Sequence, residues 1–259
     1  MVLPPTDAHP SLVPFEPAAE RSLEVFGGTV SLVLVPQRRE RAGRVHADRP
    51  AFATSPAARI VRDEAFWRHG DLALTPNRYP FAHAQRILWA TGPVREPDAA
   101  FWRAALAWTA AAGGTALLNN VGAAATIARA HAHLVGERLG FLDGLPERPL
   151  ASPPIDVPEG CVLCAKALPL CVVGVRGEPA AVANALFRLA EARLTAECNV
   201  VLPQAAPSIP PRRVETPAPW FPQALGAAEL WGPWCYVDEA SFARATADDL
   251  ERALVAALA

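Results

Sequence analysis

The sequence predicts an α+β fold built in two similarly ordered halves, on three observations. Strand-like and helix-like runs follow one another in the same strand–helix–strand order before and after residue 150. Between them lies PERPLASPPIDVPEG, a proline-rich stretch with few large apolar residues that reads as a linker, which puts the halves at residues 1–150 and 151–259. From Ala128 to Val135, apolar Ala128, Ala130, Ala132 and Leu134 alternate with Arg129, His131, His133 and Val135, the period of a strand with one face in a core. No internal sequence repeat accompanies the shared order, so duplication rests on the order alone.

In the first half, Leu23–Phe26 and Val30–Val35, split by Gly27-Gly28, form a hairpin signal, and the basic run QRRERAGR follows from Gln37 to Arg44. Strands are expected at Asp71–Thr75 and Arg86–Ala90. A helix is expected from Asp98 to Ala112, where Pro97 precedes an apolar stripe of Phe101, Trp102, Ala105, Leu106 and Trp108 and Gly113 ends it. Strands at Thr115–Val121 and Ile127–Val135 complete this half. In the second half the expected order is strand Leu168–Arg176, helix Pro179–Leu194, strands Cys198–Leu202 and Leu230–Val237, and a closing helix Asp248–Ala259 with Thr246 as its cap. The seven tryptophans sit mostly within apolar runs and are assigned to core packing.

Composition narrows the function classes. At 259 residues the chain can bury a sizeable core, and a net charge of −2 with 19% charged residues gives no global attraction to nucleic acid or to a membrane surface. An anionic ligand therefore requires a local cluster of positive charge. The start, MVLPPTDAHP, lacks the basic and apolar regions of a signal peptide, and AALAWTAAAGGTALL is too short to span a bilayer, so a cytoplasmic location is expected. Five cysteines, an odd number, do not suggest a disulfide framework.

The chemistry-bearing segment is NNVGAAATIARAHAHLVG, Asn119 to Gly136. On a strand Arg129, His131 and His133 share one face and make a compact cationic strip backed by core. Such a strip suits a phosphate group, and a neutral imidazole is a competent nucleophile toward phosphorus. An isolated His-x-His is more often a pair of surface histidines or a metal site than a phosphate site.

Asn120, Gly122, the small-residue run Ala123–Thr126 and then His131 and His133 resemble, at matching intervals, the Asn-x-Gly, small loop, His-x-His-x-Gln pattern of one branch of the histidine-triad superfamily. That branch contains galactose-1-phosphate uridylyltransferase and the dinucleoside-tetraphosphate phosphorylases. Asn77-Arg78-Tyr79-Pro80 resembles its Asn-x-x-Pro, SLVLVP leading to Arg38, Arg39 and Arg41 resembles its strand before an arginine pair, and ALGAAELWG at Ala224–Gly232 is similar more loosely. The resemblance implies two tandem histidine-triad-like units, each an antiparallel sheet with flanking helices. It implies nucleotidyl transfer through a nucleotidyl-histidine on His133, with His131 supporting the site. Asn77, Asn120 and Gly122 would lie near the nucleotide, with Arg38, Arg41 and Arg129 near phosphate. The implied partners are a nucleotide or nucleotide-sugar and a phosphorylated acceptor, and the branch's habit implies a homodimer.

Two departures weigh on this. Val135 stands where the branch has glutamine and offers no hydrogen bond to a phosphoryl oxygen, and Thr126-Ile127-Ala128 replaces a serine-containing loop. A protein of the same fold that binds nucleotides or sugar phosphates and turns them over weakly is the alternative that Val135 favours. If Val135 points where His133 does, it should border the phosphate, and glutamine there should restore activity. Cys161 and Cys164 form a Cys-x-x-Cys pair, the candidate for a structural zinc, although the branch's pair lies N-terminal to its histidines.

Overall fold

A computed structural model describes residues 3–39, 55–120, 123–138, 140–142, 144–166, 172–192, 198–202 and 207–258. The chain begins with the expected hairpin, β1 (Ala19–Val25) and β2 (Gly28–Leu34), followed by a 3-10 turn at Pro36–Arg38. Helix α1 (Ala57–Glu64), which the sequence reading had not anticipated, leads to β3 (Trp67–His69), β4 (Leu72–Pro76) and β5 (Arg86–Ala90). Helix α2 (Ala99–Ala112) precedes β6 (Thr115–Asn119) and β7 (His131–Val135). The second half contributes β8 (Glu147–Pro149), β9 (Cys161–Lys166), β10 (Val173–Gly177), α3 (Pro179–Ala192), β11 (Asn199–Leu202) and β12 (Ser208–Ile209). Helix α4 (Ala227–Trp231), β13 (Pro233–Tyr236), α5 (Glu239–Arg244) and α6 (Ala247–Ala257) close the chain.

A single ten-stranded sheet runs through both halves in the order β3-β4-β5-β7-β6-β11-β12-β10-β9-β8, and its pairings are antiparallel throughout. Read outward-in, the first half runs 3-4-5-7-6 and the second 8-9-10-12-11, the same order. The halves meet where β6 pairs with β11. The stretch expected to be a linker thus contributes β8 to the sheet edge.

The alternation in β7 assigns its two faces. Ala132 and Leu134 join the core that α2 and α3 form on one side of the sheet, with Phe101, Trp102, Trp108, Leu186 and Leu189. Asp98 Oδ1 caps α2 by accepting the Phe101 N–H at 2.7 Å, and Gly113 ends the helix in the left-handed region at φ 68°. A side chain at Gly114 would place its Cβ 2.2 Å from the Val135 carbonyl, so only glycine lets α2 turn into β6 there. On the opposite side Val135 and Leu117 join a second core with β2, β13, α4 and α6. Trp89, Trp102, Trp108, Trp231 and Trp234 are all fully buried, as core packing requires.

Two expected strands are corrected. The strand over Leu230–Val237 is a helix through Trp231 and a strand only from Pro233: the Glu229 carboxylate accepts the Gly226 N–H at 2.9 Å and fastens a helical turn, and Pro233 cannot continue it. The strand expected from Ile127 begins at His131, because the Arg129 N–H turns back onto the Ile127 carbonyl at 2.9 Å. Among the described residues no helix is long and apolar enough to cross a membrane.

Candidate functional site

The face of β7 that carries His131 and His133 looks toward the elements covering the sheet from β2 and α4. A hollow opens there, lined by Arg38, Phe81, Asn119, Ala124, His133 and Glu229, with Gln223, Ala224, Gly226 and Ala228 at its side. It takes in roughly 530 Å³ of non-atom space, open mouth and adjoining solvent included.

Each polar wall has a structural origin. Arg38 ends the 3-10 turn after β2, is 4% exposed, and lays its guanidinium 5.1 Å over the Phe81 ring. Its Nη1 has no hydrogen-bond partner among the described residues, nor has Nε2 of Gln223. A buried donor left unmade costs ~1–3 kcal/mol, more when charged, so these nitrogens suit an oxyanion. His133 is buried beside them, its ring edge-on to Phe81 at 5.6 Å. Glu229 supplies a carboxylate, so the hollow is of mixed charge rather than uniformly cationic.

A buried polar network drawn from the second half holds the loop beneath His133. Arg212, whose pKa burial lowers to about 10, donates from Nη1 to Asn199 Oδ1 at 3.0 Å. Asn199 Nδ2 in turn donates to Asn119 Oδ1 and to the Ala123 carbonyl, each at 2.8 Å. Ala124 adopts φ 69° and donates its N–H to Glu215 Oε1 at 2.6 Å. Arg212, Asn199, Glu215 and Gln85 were not anticipated from sequence, and Glu229 was noticed only as part of ALGAAELWG. Their signals are single polar residues in apolar or proline-rich surroundings, with no spacing to tie them to the histidines.

The expected site residues separate. His133 and Arg38 share the hollow. His131 lies on the same strand face, its ring 5.6 Å from that of His133, but stacks on Trp89 at 4.9 Å and places Nδ1 2.7 Å from the Arg129 carbonyl. Both rings are buried, at 5% and 7% exposure, and of the two histidines expected in one cationic strip His133 alone lines the hollow among the described residues. Arg129 does not join the strip: it precedes β7 and donates Nη1 to the carbonyls of Ala90 and Thr91. Asn120 directs its amide to Cys198 Sγ at 3.4 Å, and its neighbour Asn119 takes the place in the hollow. Asn77 braces a turn, donating to the Tyr79 carbonyl at 3.2 Å and accepting the Tyr79 N–H at 3.1 Å. Gly122 and Arg41 lie outside the described residues.

Cys161 and Cys164 do not make one donor set. They are three residues apart on β9 and so face opposite sides of the sheet: Cys161 packs on the α3 core, while Cys164 Sγ donates to Glu147 Oε2 at 3.4 Å. Among the described residues no group of three or more His, Cys, Asp or Glu side chains could hold a metal.

Val135 shares the strand face of His133 but is fully buried beside Leu117, walled into the core rather than bordering the hollow. Glutamine there would strand an amide in apolar surroundings and overfill the site. Val135→Gln is therefore expected to lower stability by at least ~2 kcal/mol, read from the urea midpoint, with no gain in activity. A more active variant of undiminished stability would overturn that placement.

No family model and no curated protein sequence matches the chain. Solved structures do: yeast Ap4A phosphorylase Apa2 in complex with Ap4A superposes with a TM-score of 0.69 at 12% identity, over 96% of this chain and 91% of that one. The same yeast enzyme with AMP gives 0.65 at 12% identity over 95% and 90%, and Apa2 alone gives 0.66 at 12% identity over 96% and 92%. The chain thus shares the fold of these yeast Ap4A phosphorylase structures, at far-diverged sequence.

Proposed function

We propose that this chain transfers a nucleoside monophosphate between phosphorylated partners, with a dinucleoside polyphosphate or nucleotide-sugar as donor. The observation that carries the reading is the meeting, in one hollow, of the buried His133 ring and the buried Arg38 guanidinium, whose Nη1 has no partner among the described residues. In the reaction a lone pair on the His133 imidazole attacks the α-phosphorus, and the bond to the leaving phosphate breaks with its electrons on that oxygen. A phosphate oxygen of the acceptor then displaces the histidine. Arg38 balances charge on the phosphoryl oxygens throughout. The yeast enzyme of like fold was crystallised with Ap4A and with AMP, which makes these the first ligands to try. The equal strand orders of the two halves support a second element of the proposal, that the fold is a tandem duplication in which only the first half kept its histidines.

The test is covalent labelling. Incubation with a panel of labelled dinucleotides and nucleotide-sugars should give acid-labile labelled protein. His133→Gln should reduce the label to background, while a change at the exposed residue His69 on β3 should leave it intact. Equal labelling of the wild type and the His133 variant would remove His133 from the chemistry. A binding protein with weak turnover is the second reading, favoured by the burial of Val135 and by the contact described next.

A further inference from the structure

Gln85, fully buried just ahead of β5, touches His133 and lies outside everything assigned above. The Phe81 backbone N–H points at Gln85 Oε1 from 2.8 Å, and Gln85 Nε2 lies 2.9 Å from His133 Nδ1. A backbone N–H can only donate, so the amide atom facing it is the oxygen; the reversed amide would set NH₂ against N–H. That orientation aims an amide N–H at His133 Nδ1, which must then accept through a lone pair. The ring proton belongs on Nε2.

We propose that Gln85 is a positioning residue that holds His133 as the neutral Nε2–H tautomer, so that the ring meets a bound phosphate first as a hydrogen-bond donor. Protonation of Nδ1 would set N–H against N–H, so the same contact disfavours the imidazolium. The glutamine missing at position 135 thus has a counterpart just ahead of the adjoining strand, acting on the histidine rather than on the phosphate. Attack on phosphorus through Nε2 requires the proton to leave that nitrogen, so Gln85 holds turnover back while favouring retention of the ligand.

Glutamate at 85 inverts the arrangement with little change of shape. Its carboxylate accepts from both Phe81 N–H and His133 Nδ1–H, shifts the neutral ring's lone pair to Nε2 and stabilises the cation. The other charged or titratable groups facing His133 among the described residues are Arg38 from the turn after β2, His131 on its own strand and Glu229 on α4. All three are common to wild type and variant, so a difference reports position 85.

The measurement is the two-bond ¹H–¹⁵N spectrum of histidine-labelled full-length protein without nucleotide, with the His133 signals identified as those lost in His133→Gln. The wild type should show a bare Nδ1 and a protonated Nε2. Gln85→Glu should invert the pattern and raise the titration midpoint of His133 by about 1–3 pH units, as a facing carboxylate does for an imidazolium. A wild-type Nδ1 that carries the proton, or a Gln85→Glu spectrum unchanged from wild type, would overturn the proposal. Should the glutamate variant not fold, Gln85→Met removes the donor at similar length and should give a mixed tautomer signal; persistence of the wild-type pattern there would also overturn it. The proposal rests on His133 as the ring that meets phosphate, but the spectrum needs no nucleotide, so the tautomer and the transfer reaction fail separately.

Discussion

Arg212→Leu is expected to lower the stability of the protein by about 3–5 kcal/mol, the loss typical of breaking a buried charged network from one side. The guanidinium is 2% exposed and among the described residues reaches four acceptors: Asn199 Oδ1 at 3.0 Å and the carbonyls of Leu225, Val214 and Glu215 at 2.6, 2.7 and 3.3 Å. Its pKa of about 10 is lowered by burial, yet the group stays charged at neutral pH. Leucine fills part of the space and leaves the buried Asn199 and Leu225 acceptors, with the part-buried Val214 and Glu215 carbonyls, without this donor. Lysine should not rescue the variant, since a single ammonium cannot span four acceptors arranged for a planar fork. Urea unfolding followed by circular dichroism measures the loss. A cost below ~1 kcal/mol would mean that the acceptors find water, and the network would then be no clamp on the loop beneath His133.

The same network explains what was readable before the fold was known. Helix α2 was legible because its signals are local: a preceding proline, a stripe of large apolar residues and a terminal glycine within seventeen positions. The strand character of His131–Val135 was legible because period two shows in five residues. Sheet order was not, since β6 meets β11 across some eighty residues, and no local pattern records which strands pair. The site divided along the same line. Motif intervals located His133, and Arg38 came from a basic run, but whether a side chain reaches a hollow depends on partners elsewhere in the chain. Arg129 looked equivalent to His133 by alternation, yet the turn at Ile127 takes it out of the strand and onto the Ala90 and Thr91 carbonyls. Val135 did keep its face, but the layer above it is core rather than cavity, a fact set by β2, α4 and α6. Gln85 had no sequence signal because its role exists only through the register of β5 against β7, where Ile87 opposes His133.

The second large effect concerns ligand affinity. Arg38→Met is expected to weaken nucleotide binding by about 10- to 150-fold, because hydrogen bonds to charged groups contribute ~1.5–3 kcal/mol and each ~1.4 kcal/mol is a factor of ten. The fold should barely register the change. In the unliganded protein Arg38 is 4% exposed with Nη1 unpartnered among the described residues, so its removal relieves a buried, unmatched donor. A thioether can occupy the same face of Phe81, where the guanidinium carbon now sits 5.1 Å from the ring centre. Affinity and stability should therefore separate: a lower affinity for Ap4A and AMP by titration calorimetry, with an unfolding midpoint equal to or above that of the wild type. Salt supplies an independent check. Wild-type affinity should fall as ionic strength rises and the screening length shortens from ~10 Å at 0.1 M, and the methionine variant should be less sensitive. Unchanged affinity in the variant would take phosphate away from Arg38, and a loss of affinity matched by a loss of stability would make its role structural.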